Sequence, residues 1–131
     1  MPVVEALVRA RHRGVKVTLV ADYEGNVSAD RSGKARAALG ALVNAGAEVR
    51  TISVYAIHHD RVIIEDRQTV EQGNFNCSDA AAHRNSENVL VNWGNPTLAE
   101  VDQKHFERNY RQATAFNAGH WRLCRVDVCG R

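Results

Sequence analysis

Apolar residues near the N-terminus recur at helical spacing. Val4, Leu7 and Val8 form one stripe, Arg9, Arg11 and Arg13 surround it, and Gly14 stands where a C-cap belongs, which predicts a helix over residues 3–13. Val15–Val20 alternates and is β-branched, so it reads as a strand. A polar loop from Asp22 to Gly33 leads to a second helix that turns Ala35, Leu39, Leu42 and Val43 inward and ends at Gly46. Ala47–Ser53 is the next strand, and the strand–helix–strand order implies a right-handed parallel crossover. The pattern then shortens. Arg61–Glu65 reads as a buried strand, Asp66-Arg67-Gln68 as a turn, and Thr69–Gln72 as the antiparallel return of a hairpin. Ser86–Trp93 is again strand-like. Pro96 suits the first turn of a helix running to Gln112, with Leu98, Val101, Phe106 and Tyr110 partly buried. Thr114–Arg131 has no regular period.

These elements describe an α/β fold, a mixed central β-sheet flanked by helices on both faces. The chain has 131 residues, 44% apolar and 24% charged, which is a globular composition for one domain. Neither a membrane span nor a signal peptide is visible, so the sequence as written reads as cytoplasmic. Cys77, Cys124 and Cys129 form no C-x-x-C pair, and His12, His83, His105 and His120 show no metal-ligand spacing and read as surface or packing residues. No metal and no cofactor are expected. The net charge of +2 hides an uneven distribution. Residues 1–50 carry eight Lys/Arg against five Asp/Glu, residues 51–103 three against eight, and residues 104–131 six against two. Basic flanks of this kind are compatible with a polyanionic partner such as nucleic acid.

Candidate chemistry is concentrated between residues 59 and 88. On a strand, His59 and Arg61 would point to the same face. A histidine beside a guanidinium suits a phosphate substrate, because the imidazole can attack or protonate while the cation neutralises the phosphoryl oxygens. His58 would face the other way. Gly73 permits close backbone approach, and the Asn76 amide can donate to the same oxygens. Glu87 is a carboxylate able to hold the Nδ1–H of His59 and leave Nε2 reactive. Each also has a plainer reading: Gly73 as a conformational residue, Glu87 as a surface carboxylate, and Asp66 as the start of a hairpin turn.

The spacing of these residues resembles that of the phospholipase D superfamily. Its pattern H-x-K-x4-D-x6-G-S-x-N is met by His59-x-Arg61-x4-Asp66-x6-Gly73-Asn74-x-Asn76, with four of six defined positions identical. Arg61 stands where the family has lysine, and Asn74 where it has serine. The surrounding stretches Glu5–Val17, His59–Asn76 and Asn85–Asn88 are similar to the "EALVxAxxRGVKV", "HDKVIIxDxxTVExGSFN" and "NSEN" stretches of its small single-motif bacterial nucleases.

The resemblance implies a phospholipase D-like domain over residues 1–113, shortened at its N-terminal edge, followed by a C-terminal tail, 114–131. It implies metal-independent phosphodiester transfer in two steps through a phosphohistidine on His59. Arg61 and Asn76 would bind phosphate together with Gly73 and Asn74. Asp66 would support the site's charge network, and Glu87 would orient His59. Single-motif members complete the site with a histidine from a partner subunit, so a homodimer with the site on its two-fold axis is implied. The expected activity is that of a non-specific endonuclease, with DNA preferred over RNA. A cardiolipin-type phospholipid phosphodiesterase and a catalytically impaired nucleic-acid-binding relic are the alternatives. Secreted relatives carry an upstream signal peptide, and a chain so equipped would be periplasmic or secreted.

Overall fold

The computed structural model describes residues 2–76 and 78–117. Cys77, His120, Cys124, Cys129 and nearly all of the expected tail lie outside the described residues. Helix α1 (Pro2–His12) closes at Gly14, whose positive φ of 89° lets the Gly14 and Val15 amides turn back onto the Arg11 and Ala10 carbonyls. The first strand, β1 (Thr18–Asp22), begins three residues later than the alternation indicated. The expected loop after it contains one π-helical turn, Glu24–Ser28. Helix α2 (Lys34–Asn44) ends as predicted at Gly46, and β2 (Glu48–Ile52) follows.

β1 and β2 pair in parallel, as the crossover order requires. Strand β6 (Thr114–Ala115) joins the other edge of β2 antiparallel, which makes this sheet mixed. The first residues of the expected tail therefore continue the fold, and Phe116 packs against its core. Alternation along β2 divides the two faces. Val49 is buried against Leu39 and Leu42 of α2, with Val4, Leu7 and Val8 of α1 beyond them. Glu48 and Arg50 face the opposite helix, α4 (Pro96–Gln112), so helices cover both faces.

The second sheet is an antiparallel ladder of β3 (Val62–Glu65), β4 (Thr69–Gly73) and β5 (Val89–Asn92). The strands thus form two three-stranded ladders rather than one continuous sheet, because β1 and β3 are each edge strands not hydrogen-bonded to one another. α4 packs against strands of both ladders. Its N-terminus is fixed by Asn95, whose Oδ1 caps the Leu98 amide at 3.0 Å and whose own amide reaches Gln68 O in the hairpin turn at 2.7 Å. Its C-terminus is fixed by Arg50, which donates to the Tyr110 and Ala113 carbonyls and lies 3.9 Å from the Tyr110 ring centroid. Glu48 accepts from the Tyr110 hydroxyl, and that bond holds the phenol proton above its ordinary range. Against expectation, Val101 is exposed. Ala99 and Asn109 are the fully buried positions on α4, because the helix turns those residues toward the strands. The short helix α3 (Asp79–His83), capped by Ser78, was not legible in the apolar pattern.

Gly73 ends β4 where β5 comes closest. A Cβ there would sit 2.2 Å from the Asn88 carbonyl oxygen, a backbone atom that cannot step aside. Gly73→Ala is therefore expected to lower unfolding free energy by about 3 kcal/mol, the upper range for a forced overpacking. A urea midpoint equal to that of the parent chain would show that β5 is held elsewhere.

Candidate active site

Hairpin topology gathers most of the motif at one end of the second sheet. The start of β3, the end of β4 and the start of β5 lie side by side there, linked by the Gly73 amide on Arg61 O and the Asn74 amide on Asn88 O. His59, Arg61, Gly73, Asn74, Asn76 and Glu87 all belong to this end or to the segments entering it. Asp66 does not. It sits in the turn at the far end of β3, where it and Arg67 take left-handed φ values of 50° and 56°. Five residue steps at the rise of a strand place Asp66 about 16 Å from Arg61, away from the other motif residues.

Contrary to the strand reading, which began at Arg61, His59 and Arg61 lie in the irregular segment that precedes Val62. The His59 side chain is exposed and has no hydrogen bond among the described residues. Its neighbour His58 lines the same hollow but has only 9% of its side chain accessible and stacks on Tyr55 at a ring separation of 6.2 Å. The pair therefore offers one free imidazole and one packed one.

Arg61 donates from Nε to Asn76 Oδ1 at 2.6 Å. That bond orients both residues expected to bind phosphate: it leaves the outer guanidinium nitrogens free of Asn76, and it turns the Asn76 Nδ2 donor away from Arg61. Asn74, by contrast, spends its Oδ1 on the Asn88 amide at 2.8 Å, which ties β4 to β5. Gly73 serves the approach of Asn88 described above. The Oε1 of Glu87 accepts from Asn85 Nδ2 at 3.0 Å, and no Glu87–His59 hydrogen bond is present among the described residues.

Sequence reasoning missed what surrounds the His59 segment. The His58 amide donates to Asp22 Oδ1 at 2.9 Å, while the other oxygen of Asp22 accepts from Gly25. Asp60 Oδ2 lies 2.7 Å from His105 Nε2 and accepts from Asn109 Nδ2 at 3.1 Å. Tyr55 donates to Asn109 Oδ1 at 2.9 Å. Asp60, His105, Asn109 and Tyr55 line a hollow of about 260 Å³ together with His58 and His59. His105 is thus not merely a packing residue. The available signal was the i, i+3, i+4 spacing of His105, Arg108 and Asn109, which puts three polar groups on one face of α4.

No helix among the described residues is long and apolar enough to cross a membrane. No group of three or more His, Cys, Asp or Glu side chains is arranged to hold a metal ion among them either.

With this geometry established, comparisons place the chain among known proteins. The family described as cardiolipin synthase, PLD-like domain, matches residues 1–110. The crystal structure of Nuc, a phospholipase D family member from Salmonella typhimurium, superposes with a TM-score of 0.81 at 41% identity, covering 87% of this chain and 72% of that one. NucT from Helicobacter pylori shares the fold, with a TM-score of 0.71 at 21% identity over 88% of this chain and 74% of its own. A Rickettsia felis protein named phospholipase D is 40% identical over 86 residues, 66% of this chain and 40% of that protein. Its counterpart from Rickettsia prowazekii is 34% identical over 116 residues, 88% of this chain and 52% of that protein. The chain spans roughly half or less of the length of these curated relatives. Since the match extends over residues 1–110 and takes in the whole His59–Asn76 segment, the chain belongs to the phospholipase D-like family.

Proposed function

We propose that this chain is a phosphodiesterase acting on nucleic acid, with His59 as its nucleophile. The observation that carries this is the pairing of an exposed, unbonded imidazole with the Arg61–Asn76 unit two residues away. In the proposed reaction, His59 Nε2 attacks phosphorus and the bond to the leaving oxygen breaks. A second histidine, the partner subunit's His59, gives that oxygen its proton. Water then attacks the phosphohistidine, the P–N bond breaks, and the proton from water passes to the same second histidine. Arg61 and the Asn76 amide stabilise charge on the phosphoryl oxygens during both steps. Glu87 orients His59 in the assembled site, and no metal takes part.

DNA is the proposed substrate because of the likeness to Nuc and the basic flanks of the sequence. A phospholipid substrate is the second reading, favoured by the cardiolipin synthase description of the matching family and by the names of the rickettsial relatives. The chemistry at phosphorus is the same for both.

Supercoiled plasmid and cardiolipin-containing vesicles, offered in parallel, separate the two. Plasmid nicking is expected, unaffected by EDTA, with vesicles left intact. His59→Ala is expected to lower nicking by about 10³-fold or more, as loss of a nucleophile does. His58→Ala retains most of the activity. Vesicle hydrolysis without nicking would establish the lipid reading, and activity restored only by Mg²⁺ would displace the phosphohistidine route.

Completion of the site by a partner makes a second expectation. Sedimentation should show a homodimer. Mixed dimers of parent and His59→Ala chains should lose activity in both half-sites, because each reaction draws on both histidines. A monomer that cleaves at full specific activity would overturn the two-fold site.

A further inference from the structure

We propose that His105 and Asp60 are positioning residues for the reaction at His59, locking the histidine-bearing segment onto α4. The inference rests on the assignment of His59 as nucleophile.

Strand pairing does not fix the direction of His59. The β3–β4 ladder begins at Val62, and the most upstream bond that this segment makes to β4 is from the Gly73 amide to Arg61 O. What holds residue 59 is a pair of tethers on its two chain neighbours. Upstream, the His58 amide is held by Asp22 at the end of β1. Downstream, the Asp60 carboxylate is held by His105 and Asn109 of α4.

Bond chemistry orders the α4 side of this lock. Arg108 can only donate, so its NH2 group, 2.9 Å from His105 Nδ1, makes that nitrogen the acceptor. The imidazole proton then resides on Nε2 and is donated to Asp60 Oδ2 at 2.7 Å, since an ionised carboxylate only accepts. Asn109 is 2% exposed, and both ends of its amide are used: Nδ2 on Asp60 and Oδ1 on the Tyr55 hydroxyl. The chain Arg108–His105–Asp60–Asn109–Tyr55 is continuous, with each donor matched to an acceptor. Removing His105 takes the 2.7 Å bond from Asp60 and leaves its carboxylate on Asn109 at 3.1 Å, which loosens the residue adjacent to the nucleophile. A displacement of about 1 Å at a reacting group can cost about 10²-fold in rate. Arg61 touches this chain through the backbone carbonyl of Asp60 at 3.4 Å and keeps its 2.6 Å bond to Asn76 when the Asp60 carboxylate loses His105, so phosphate binding is largely preserved.

The test uses bis(p-nitrophenyl) phosphate, a diester that makes no appeal to nucleic-acid or lipid recognition. His105→Ala and Asp60→Ala should each lower kcat by about 10- to 100-fold with little change in KM. The double variant should be little worse than either single one, because one tether is broken in each case. His105→Gln should recover most of kcat, since its amide can donate to Asp60 and accept from Arg108. Urea midpoints measured alongside separate positioning from loss of fold. Unchanged kcat in His105→Ala, or a loss that Gln does not restore in a chain of parental stability, would overturn the proposal. Undiminished turnover in His59→Ala would instead remove the assignment on which it rests.

Discussion

Among the described residues the segment that carries His59 has no ladder partner, so side chains fix its course. A nucleophile on a regular strand inherits its direction from backbone hydrogen bonds on either side. Here residues 58 to 60 obtain that direction from Asp22 at the end of β1 and from His105 and Asn109 on α4. The arrangement leaves His59 exposed while its neighbours are bound. It also explains why two adjacent histidines differ so sharply, His58 packed on Tyr55 and His59 open.

That local pinning depends on the larger frame. The two ladders share no strand hydrogen bond, and α4 braces them by packing against strands of each. Asn95 sets where the helix begins and ties that end to the β3–β4 turn. Arg50 draws the other end onto β2 by meeting its final carbonyls and the Tyr110 ring. With both ends located, the polar face of α4 is held against the His59 segment. The same helix therefore carries a structural load and supplies the polar groups beside His59.

Much of this was legible from sequence where the signal is local. Pro96 marked the start of α4, and Gly14 and Gly46 marked helix ends at which a positive φ is required. The short apolar run Val62–Ile64 and the turn at Asp66-Arg67-Gln68 located the hairpin, although Val62 and Ile63 prove to be exposed. Site residues identified by spacing were brought to one sheet end, with Asp66 at the other. What stayed hidden depends on distance along the chain. No local pattern states that Asp60 meets His105, 45 residues away, or that Asp22 meets the His58 amide, 36 residues away. Asn74 and Gly73 were read toward a phosphate, yet Asn74 Oδ1 accepts from the Asn88 amide and the Gly73 amide donates to Arg61 O, because strand pairing competes for the same groups.

The reaction proposed for this fold is covalent chemistry at a pinned, exposed imidazole. Its most direct test is an alkaline rapid quench during turnover of a diester labelled with ³²P, followed by peptide mapping of the protein. A phosphoryl group on the peptide containing His59, formed and lost at the rate of turnover, is the predicted result. Turnover with no protein-bound phosphate, or label on any residue other than His59, would contradict it.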